Sequence, residues 1–368
     1  MARASDGTGH ASPRRRSWTR RLLRAQESGL VIVILLMMAG LTFFGGTKEV
    51  RVRDQATGEI LRDASGRPVE REVNRFLDAQ NLVLLTTNAS YIAVMAVGMT
   101  AVIALAGIDL SVGSLYALTG VVASMVLKEM DPAAGALLSV PVAFLLCMGI
   151  GTVCGVANGV MIVGLRVHPF IITLGTMAIF RGVAFVMSSG QTITGVPESL
   201  QQDFIKLEVL GLRPVLTVLM IMIALAGTFI LTRTVIGRQV FAIGGNETAA
   251  RYAGVPVGRV KIIVYAAMGL LAGIAAFMVV GYYGAAQSNA GQAYELRVIA
   301  AAVIGGASLA GGRGSAIGAV LGAVVIEMIQ NGMLILGIDT SYTEIVLGVA
   351  IILAVVVDQS KAKFLQRG

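Results

Sequence analysis

The feature that most constrains this chain is a succession of apolar stretches too long and too unbroken to fold in water. A helix crosses a bilayer with roughly 17–25 predominantly apolar residues. Candidate runs lie at 29–46, 82–108, 110–127, 135–163, 169–188, 214–232, 260–283, 296–311, 315–337 and 341–357. They predict an all-α membrane protein, a polytopic bundle of about ten transmembrane helices. The run at 296–311 is short for a crossing. It predicts a half-helix or a tilted segment buried in protein, where non-helical backbone is tolerated at membrane depth. Only 14% of residues are charged and 56% are hydrophobic, whereas a water-soluble domain carries about a quarter charged residues.

The distribution of charge sets the orientation. Seven arginines fall in the first 24 residues, and an 18-residue run with no small-x-small cleavage site follows. This predicts an uncleaved first helix whose N-terminus is cytoplasmic. With ten crossings, 17 Lys/Arg fall on the cytoplasmic side, while the outer side outside the 47–80 loop holds Lys128, Lys206, Arg213 and Arg297. Both termini are therefore expected inside. The expected organisation is a basic tail over 1–28, a transmembrane bundle over 29–357 and a cytoplasmic tail over 358–368. A loop at 233–259 faces the cytoplasm. The loop at 47–80 is a small extracytoplasmic insert with seven basic and seven acidic residues, whose turn signals predict a β-hairpin. The net charge of +8 belongs to membrane flanks, so it does not point to nucleic acid.

No phosphate loop, Cys/His metal cluster, nucleophile elbow or dinucleotide fingerprint occurs, so no catalytic or metal-binding residue is assigned. Cys147 and Cys154 lie on one face of one apolar run and suit small packing residues. His168, before Pro169 at a segment boundary, suits a structural role.

Polar residues inside the apolar runs need another explanation, because a central Asp costs roughly 2.5–3.5 kcal/mol on insertion scales. Asp109 lies in "GIDLSVGS" with Ser111 and Ser114, Asn158 in "GVANGV", and Arg181 in "IFRGVA". Glu327, with Gln330 and Asn331 on the same helix face, lies in "VIEMIQNGM". Asp109, Ser111, Ser114, Asn158, Glu327 and Asn331 are candidates for a translocation pathway, or else for pairs that hold helices in register. The "GIDLSVGS" stretch also has the composition of a helix break with its caps. Few aromatic residues lie in the runs, which predicts a transient path without a stacking site.

Two glycine ladders, Gly151/Gly155/Gly159 and Gly314/Gly318/Gly322, predict close helix packing. The stretches "VIALAGIDLSVGS" (102–114) and "VIGGASLAGGRGS" (303–315) match at both ends with an offset of 201, a faint internal repeat.

One stretch resembles soluble protein: "GGNETAARYAGVPVGR" (244–259). Asn246 is a helix cap, "ETAARYA" a helix of about two turns, and Gly254 with Pro256 its stop. So short a helix is unstable alone in water and needs a partner surface.

Together "MAVGMTAVIALAGIDLSVGSLYALTG", "HPFIITLGTMAIFRGVA", "GGNETAARYAGVPV" and "IAAAVIGGASLAGGRGS" resemble the membrane permeases of bacterial ABC importers for monosaccharides, of the ribose, arabinose, xylose and autoinducer-2 type. The resemblance runs from about residue 82 to 357. It implies a non-enzymatic permease of the bacterial inner membrane that pairs with a second permease, identical or paralogous. It implies a cytoplasmic ABC ATPase that uses ATP and Mg, and an extracytoplasmic sugar-binding protein, with no cofactor held by this chain. It also implies that the short helix is a coupling helix docking on the ATPase, through Asn246, Glu247, Ala249, Ala250 and Gly254. The chain departs from the family in its long 47–80 insert and in Arg297, where many members carry an acidic residue. Two other cargoes within ABC importers, nucleosides and branched-chain amino acids, stay open. So does an ion-coupled secondary transporter using Asp109 and Glu327.

Overall fold

The computed structural model describes residues 26–51, 60–131, 135–209, 212–350, 352, 353 and 356. The tail expected over 1–28 lies outside them except for its last three residues. The 358–368 tail, the middle of the 47–80 insert and most of the end of the last apolar run also lie outside.

Helices occupy the apolar runs. In chain order the elements are α1 (Gln26–Phe44), strands β1 (Thr47–Arg51) and β2 (Glu70–Asn74), α2 (Ala79–Ala104), α3 (Val112–Leu127), α4 (Ala136–Leu165) and α5 (Pro169–Ser188). There follow β3 (Ile193–Thr194), a π-helical turn at Ser199–Ile205, α6 (Val215–Arg233), α7 (Val235–Gly245), α8 (Glu247–Tyr252), α9 (Val257–Tyr283), β4 (Ala285–Ala286), α10 (Tyr294–Ile304) and α11 (Ala316–Ile335). Residues 343–350 are helical as well. Among the described residues seven helices, α1, α2, α4, α5, α6, α9 and α11, are long and apolar enough to cross a membrane. The runs at 110–127 and 296–311 give shorter helices of 16 and 11 residues, the latter matching the expected half-helix.

The expected hairpin is present, with β1 antiparallel to β2 and Thr47 opposite Asn74. It is tied to the bundle by an ion pair of 2.6 Å between Lys48 and Asp78. Asn74 adds to this tie, donating from Nδ2 to the Thr42 carbonyl at 2.8 Å. α2 runs from this hairpin end to the end that carries α8, and it is the most enclosed span, packed among α6, α9, α10 and α11. α1 lies outside on α11 with most of its apolar surface uncovered, as a lipid-facing helix must.

The first glycine ladder works by removing side chains. Gly151, Gly155 and Gly159 of α4 lie against the backbone of α9 at Gly269, Gly273, Tyr265 and Ile262, where a Cβ on any of the three would strike main-chain atoms. In the second ladder, Gly318 and Gly322 of α11 pack the same way on Gly305 and Ala301 of α10, while Gly314 lies on Thr100.

α2 and α10 stop in one manner, shared also by α5, α8 and α11. After α2, the Ala106 amide bonds to the Ile103 carbonyl at 2.8 Å and the Gly107 amide to Val102 at 2.9 Å, with Ala106 at φ +62°. After α10, Gly306 bonds to Val303 and Ala307 to Ala302, both at 2.9 Å, with Gly306 at φ +100°. Both are Schellman terminations, and equivalent residues lie 200 apart. The following helices start at Val112 and Ala316, 204 apart. The single offset of 201 read from the sequence is therefore replaced by two registers, because the second connector is four residues longer.

α7 was not expected. The loop at 233–259 contains two helices, joined without slack. Thr234 ends α6 and caps α7, accepting from the Gly237 amide at 3.2 Å, and Asn246 ends α7 and caps α8, accepting from the Ala249 amide at 2.9 Å.

Candidate functional site

Polar groups collect at three places, and the six pathway candidates divide between two of them. The first is the break between α2 and α3. Asp109, Ser111, Ser114 and Asn158 are fully enclosed there. Asp109 Oδ1 accepts from the Ser111 amide (2.9 Å) and hydroxyl (2.6 Å). Asn158 Nδ2 donates to Ser111 Oγ at 2.8 Å, and Ser114 donates to the Ser111 carbonyl at 2.8 Å. An Asx turn of this kind bonds the chain to itself, so the motif closes the interruption from within and anchors it to α4. Asp109 Oδ2 and Asn158 Oδ1 remain buried without a protein partner. Thr173 and Tyr265 donate to the Ile108 carbonyl at 3.3 and 3.5 Å, binding the break to α5 and α9.

Glu327 and Asn331 belong to a separate seam among α2, α10 and α11. Asn331 bonds reciprocally with Asn81. Gln330, its amide oriented by its neighbours, donates to Glu327 Oε1 at 3.3 Å and accepts from Arg297 at 2.8 Å. Arg297 also pairs with Glu344 at 2.9 Å, so the basic residue at a position where an acidic one was expected is balanced by a carboxylate from the last helix. Beside this seam Tyr294 stacks on Tyr91 (ring centroids 6.1 Å apart) and meets Tyr116 at 5.7 Å. Residues from α2, α3 and α10 gather three rings here that no local sequence pattern connects.

The third place is the stretch between α9 and α10, which turns back into the bundle. It starts as β4 paired with β3 and reaches α3, where Gly291 lies directly on the Gly113 carbonyl and the Tyr116 ring. Arg181, past the middle of α5, donates from Nη1 to the carbonyls of Ser288 (2.7 Å) and Ala290 (2.5 Å). Those carbonyls have no helix to satisfy them, and a guanidinium supplies the donors that water would otherwise give. Arg181 thereby fixes the point from which α10 departs.

α8 projects at the opposite end from the hairpin. It stops with the same Schellman pattern: Gly254 (φ +83°) bonds to Arg251, and Val255 to Ala250, both at 3.0 Å. Glu247 pairs with Arg251 (3.0 Å) and with Lys261 of α9 (2.8 Å). The hydrogen bond from Lys261, helped by Arg251, holds its carboxyl below the usual glutamate range. Ala250 is turned into the body at 5% exposure, whereas Tyr252 is 88% exposed. Thr248, Ala249 and Ala253 share the exposed side. A cavity of about 1050 Å³ lies beside α8, lined by Glu247, Arg251, Lys261, Arg166, His168 and Tyr265 among others. His168 has the structural role expected of it, capping α5 by accepting from the Phe170 amide at 3.3 Å.

A bundle of apolar helices whose interrupted members enclose polar seams has the architecture of a membrane transport protein. Residues 81–355 match the family described as "Branched-chain amino acid transport system / permease component". The chain belongs to this family of transport-system permeases, and it is a multi-pass protein of the cytoplasmic membrane. It is 41% identical to the ribose import permease protein of Escherichia coli K12 over 289 residues, 78% of this chain and 88% of that one. Identity is 36% to the D-allose transport system permease protein of the same strain, over 78% of this chain and 86% of the relative. It is 35% to the autoinducer 2 import system permease protein of Photorhabdus luminescens, over 77% and 84%. No solved structure matches the chain.

Proposed function

We propose that this chain is the membrane permease subunit of an ATP-binding cassette importer that moves a monosaccharide or related polyol into the cytoplasm. The observation that carries the reading is α8, a short capped helix with an outward aromatic side chain. It is joined to two spans by single residues on one side and a rigid Gly254–Pro256 turn on the other. Such a helix receives force from a partner. In this reading the partner is a cytoplasmic ATPase that hydrolyses ATP with Mg, and α8 is its coupling helix. Asn246 and Gly254 set its ends, Glu247 clasps it to α9, Ala250 seats it, and Ala249 and Tyr252 face the ATPase. An extracytoplasmic binding protein delivers the solute, and a second permease, a copy or a paralogue, completes the pathway.

The cargo follows the relatives, whose names specify ribose, allose and autoinducer 2. The family description favours a second cargo, a branched-chain amino acid. Ten crossings with both termini in the cytoplasm remain the preferred topology, supported by the Lys/Arg asymmetry. The solute path runs past the α10–α11 seam at Glu327 and Asn331. The Asp109, Ser111, Ser114 and Asn158 cluster borders it and shapes the break.

The test is to tag the chain, purify it gently from native membranes and assay the eluate for ATPase activity, alongside Gly254→Arg. An ATPase that accompanies the wild type and is lost from the variant supports the reading. A wild-type eluate without ATPase, from membranes that still transport, would hand the function to an ion-coupled carrier.

A further inference from the structure

Three main-chain segments meet without any intervening side chain at the α8 end of the bundle. The first is the end of α7 at Gly244, two residues before the Asn246 cap of α8. The second is the end of α2 at Ala104–Ala106. The third is the connector between α10 and α11 at Gly311 and Gly312. The Gly312 amide donates to the Ala104 carbonyl at 2.9 Å. A Cβ on Gly244 would collide with that same carbonyl oxygen and with the Gly312 nitrogen. A Cβ on Gly311 would come within 2.5 Å of the Gly244 carbonyl oxygen, and one on Gly312 within 3.2 Å of the Gly245 Cα. Gly311 and Gly312 both have positive φ, +84° and +75°, so the connector takes a path there that L side chains resist.

We propose that Gly244, Gly311 and Gly312 are positioning residues for transport, forming the joint that carries a displacement of α8 into both helix interruptions at once. The inference rests on α8 being the ATPase contact and adds where the force goes next. Contacts between bare backbones have little give, because no rotamer can absorb a shift. α8 cannot move independently of α7, since Asn246 alone joins them. A shift at Gly244 therefore reaches the end of α2, beyond which lies the Asp109 break, and the connector that leads into α11 and the Glu327 seam. The two targets are the end of α2 and the connector that follows α10, so one input reaches both chain interruptions.

The test uses the whole importer in its native-membrane detergent extract. Spin labels are placed on cysteines substituted at Gln80, at the hairpin end of α2, and at Tyr283, at the hairpin end of α9. Spacing between them is measured with and without ATP and vanadate. Gly245→Ala is the control, because nothing lies within 4 Å of a Cβ there. The expected result is an ATP-dependent change in spacing in the parent and in Gly245→Ala. The change is lost in Gly244→Ala although its ATPase remains bound and hydrolyses ATP. If Gly244→Ala does not assemble, Gly312→Asn is measured in its place, since asparagine tolerates a positive φ while its Cβ still meets the Gly245 Cα at 3.2 Å. Spacing changes that persist in the assembled glycine variants would overturn the proposal. A parent complex in which a label at Tyr252→Cys is equally accessible with and without the ATPase would instead defeat the underlying reading of α8.

Discussion

Asn331 and Asn81, 250 residues apart in the chain, exchange two hydrogen bonds. Asn331 Nδ2 donates to Asn81 Oδ1 at 2.6 Å and Asn81 Nδ2 returns one to Asn331 Oδ1 at 3.2 Å. Asn81 also donates to the Phe76 carbonyl at 2.9 Å, so the pair fastens α11 to the first turn of α2 and to the foot of the hairpin. Asn331→Leu strands the Asn81 carbonyl oxygen in a half-buried position. A cost of about 1–2 kcal/mol is expected, with interhelical bonds in membranes at the lower end. Thermal unfolding in detergent measures it. The double variant with Asn81→Leu should recover part of the loss, and a double variant that is fully additive would show that the two amides are not coupled.

The Glu247 clasp gives a pH signature of known sign. Its folded carboxyl lies below the ordinary value, chiefly through the Lys261 hydrogen bond. The clasp is therefore fully effective above the unfolded glutamate value, about 4.3, and is lost as pH falls through the folded value. Amide exchange of Ala249 to Ala253, corrected for intrinsic rate, should be steady around neutral pH and rise only in acid. Glu247→Gln should show the raised exchange throughout. A step near neutral pH in the wild type would contradict the assignment.

The α4–α9 contact separates two kinds of glycine on one helix. Gly155→Val puts three carbons into the Tyr265 carbonyl and the Gly269 backbone, and overpacking of this sort costs roughly 1–3 kcal/mol. Gly149→Ala, with open space around it, should change stability by no more than about 0.5 kcal/mol. Thermal stability of the two variants in the same detergent decides the matter. Equal losses would mean that the ladder does not set the helix spacing.

The spans were legible because burial in lipid imposes a hydropathy signal that no local detail disturbs. The α8 caps were legible too, since Asn246 and Gly254 act on their immediate neighbours. α7 was not. Its buried face is Gly237, Val240, Ile243 and Gly244, with Arg238 exposed, an amphipathic pattern confined to one short helix beside spans that are picked out by length and hydropathy. The ring cluster was hidden for another reason. Aromatic residues are only 6% of the chain, but Tyr91, Tyr116 and Tyr294 are brought together by the path of three helices. Arg181 could be recognised as an anomaly in an apolar run, yet its partners are backbone carbonyls, which leave no trace in a residue pattern.

The joints at Thr234 and Asn246 make the length of α7 a phase setting. Each residue of an α-helix advances the chain by about 100°, so inserting or deleting one between them would swing α8 through that angle and aim Tyr252 elsewhere. Only steps of about seven residues, two near-whole turns, would restore its heading, and those would displace it along the axis by roughly 10 Å. The hairpin insert can lengthen or shorten without rotating anything else. These eleven residues cannot, and under the proposed docking of α8 on an ATPase, relatives that use it the same way should keep their number fixed.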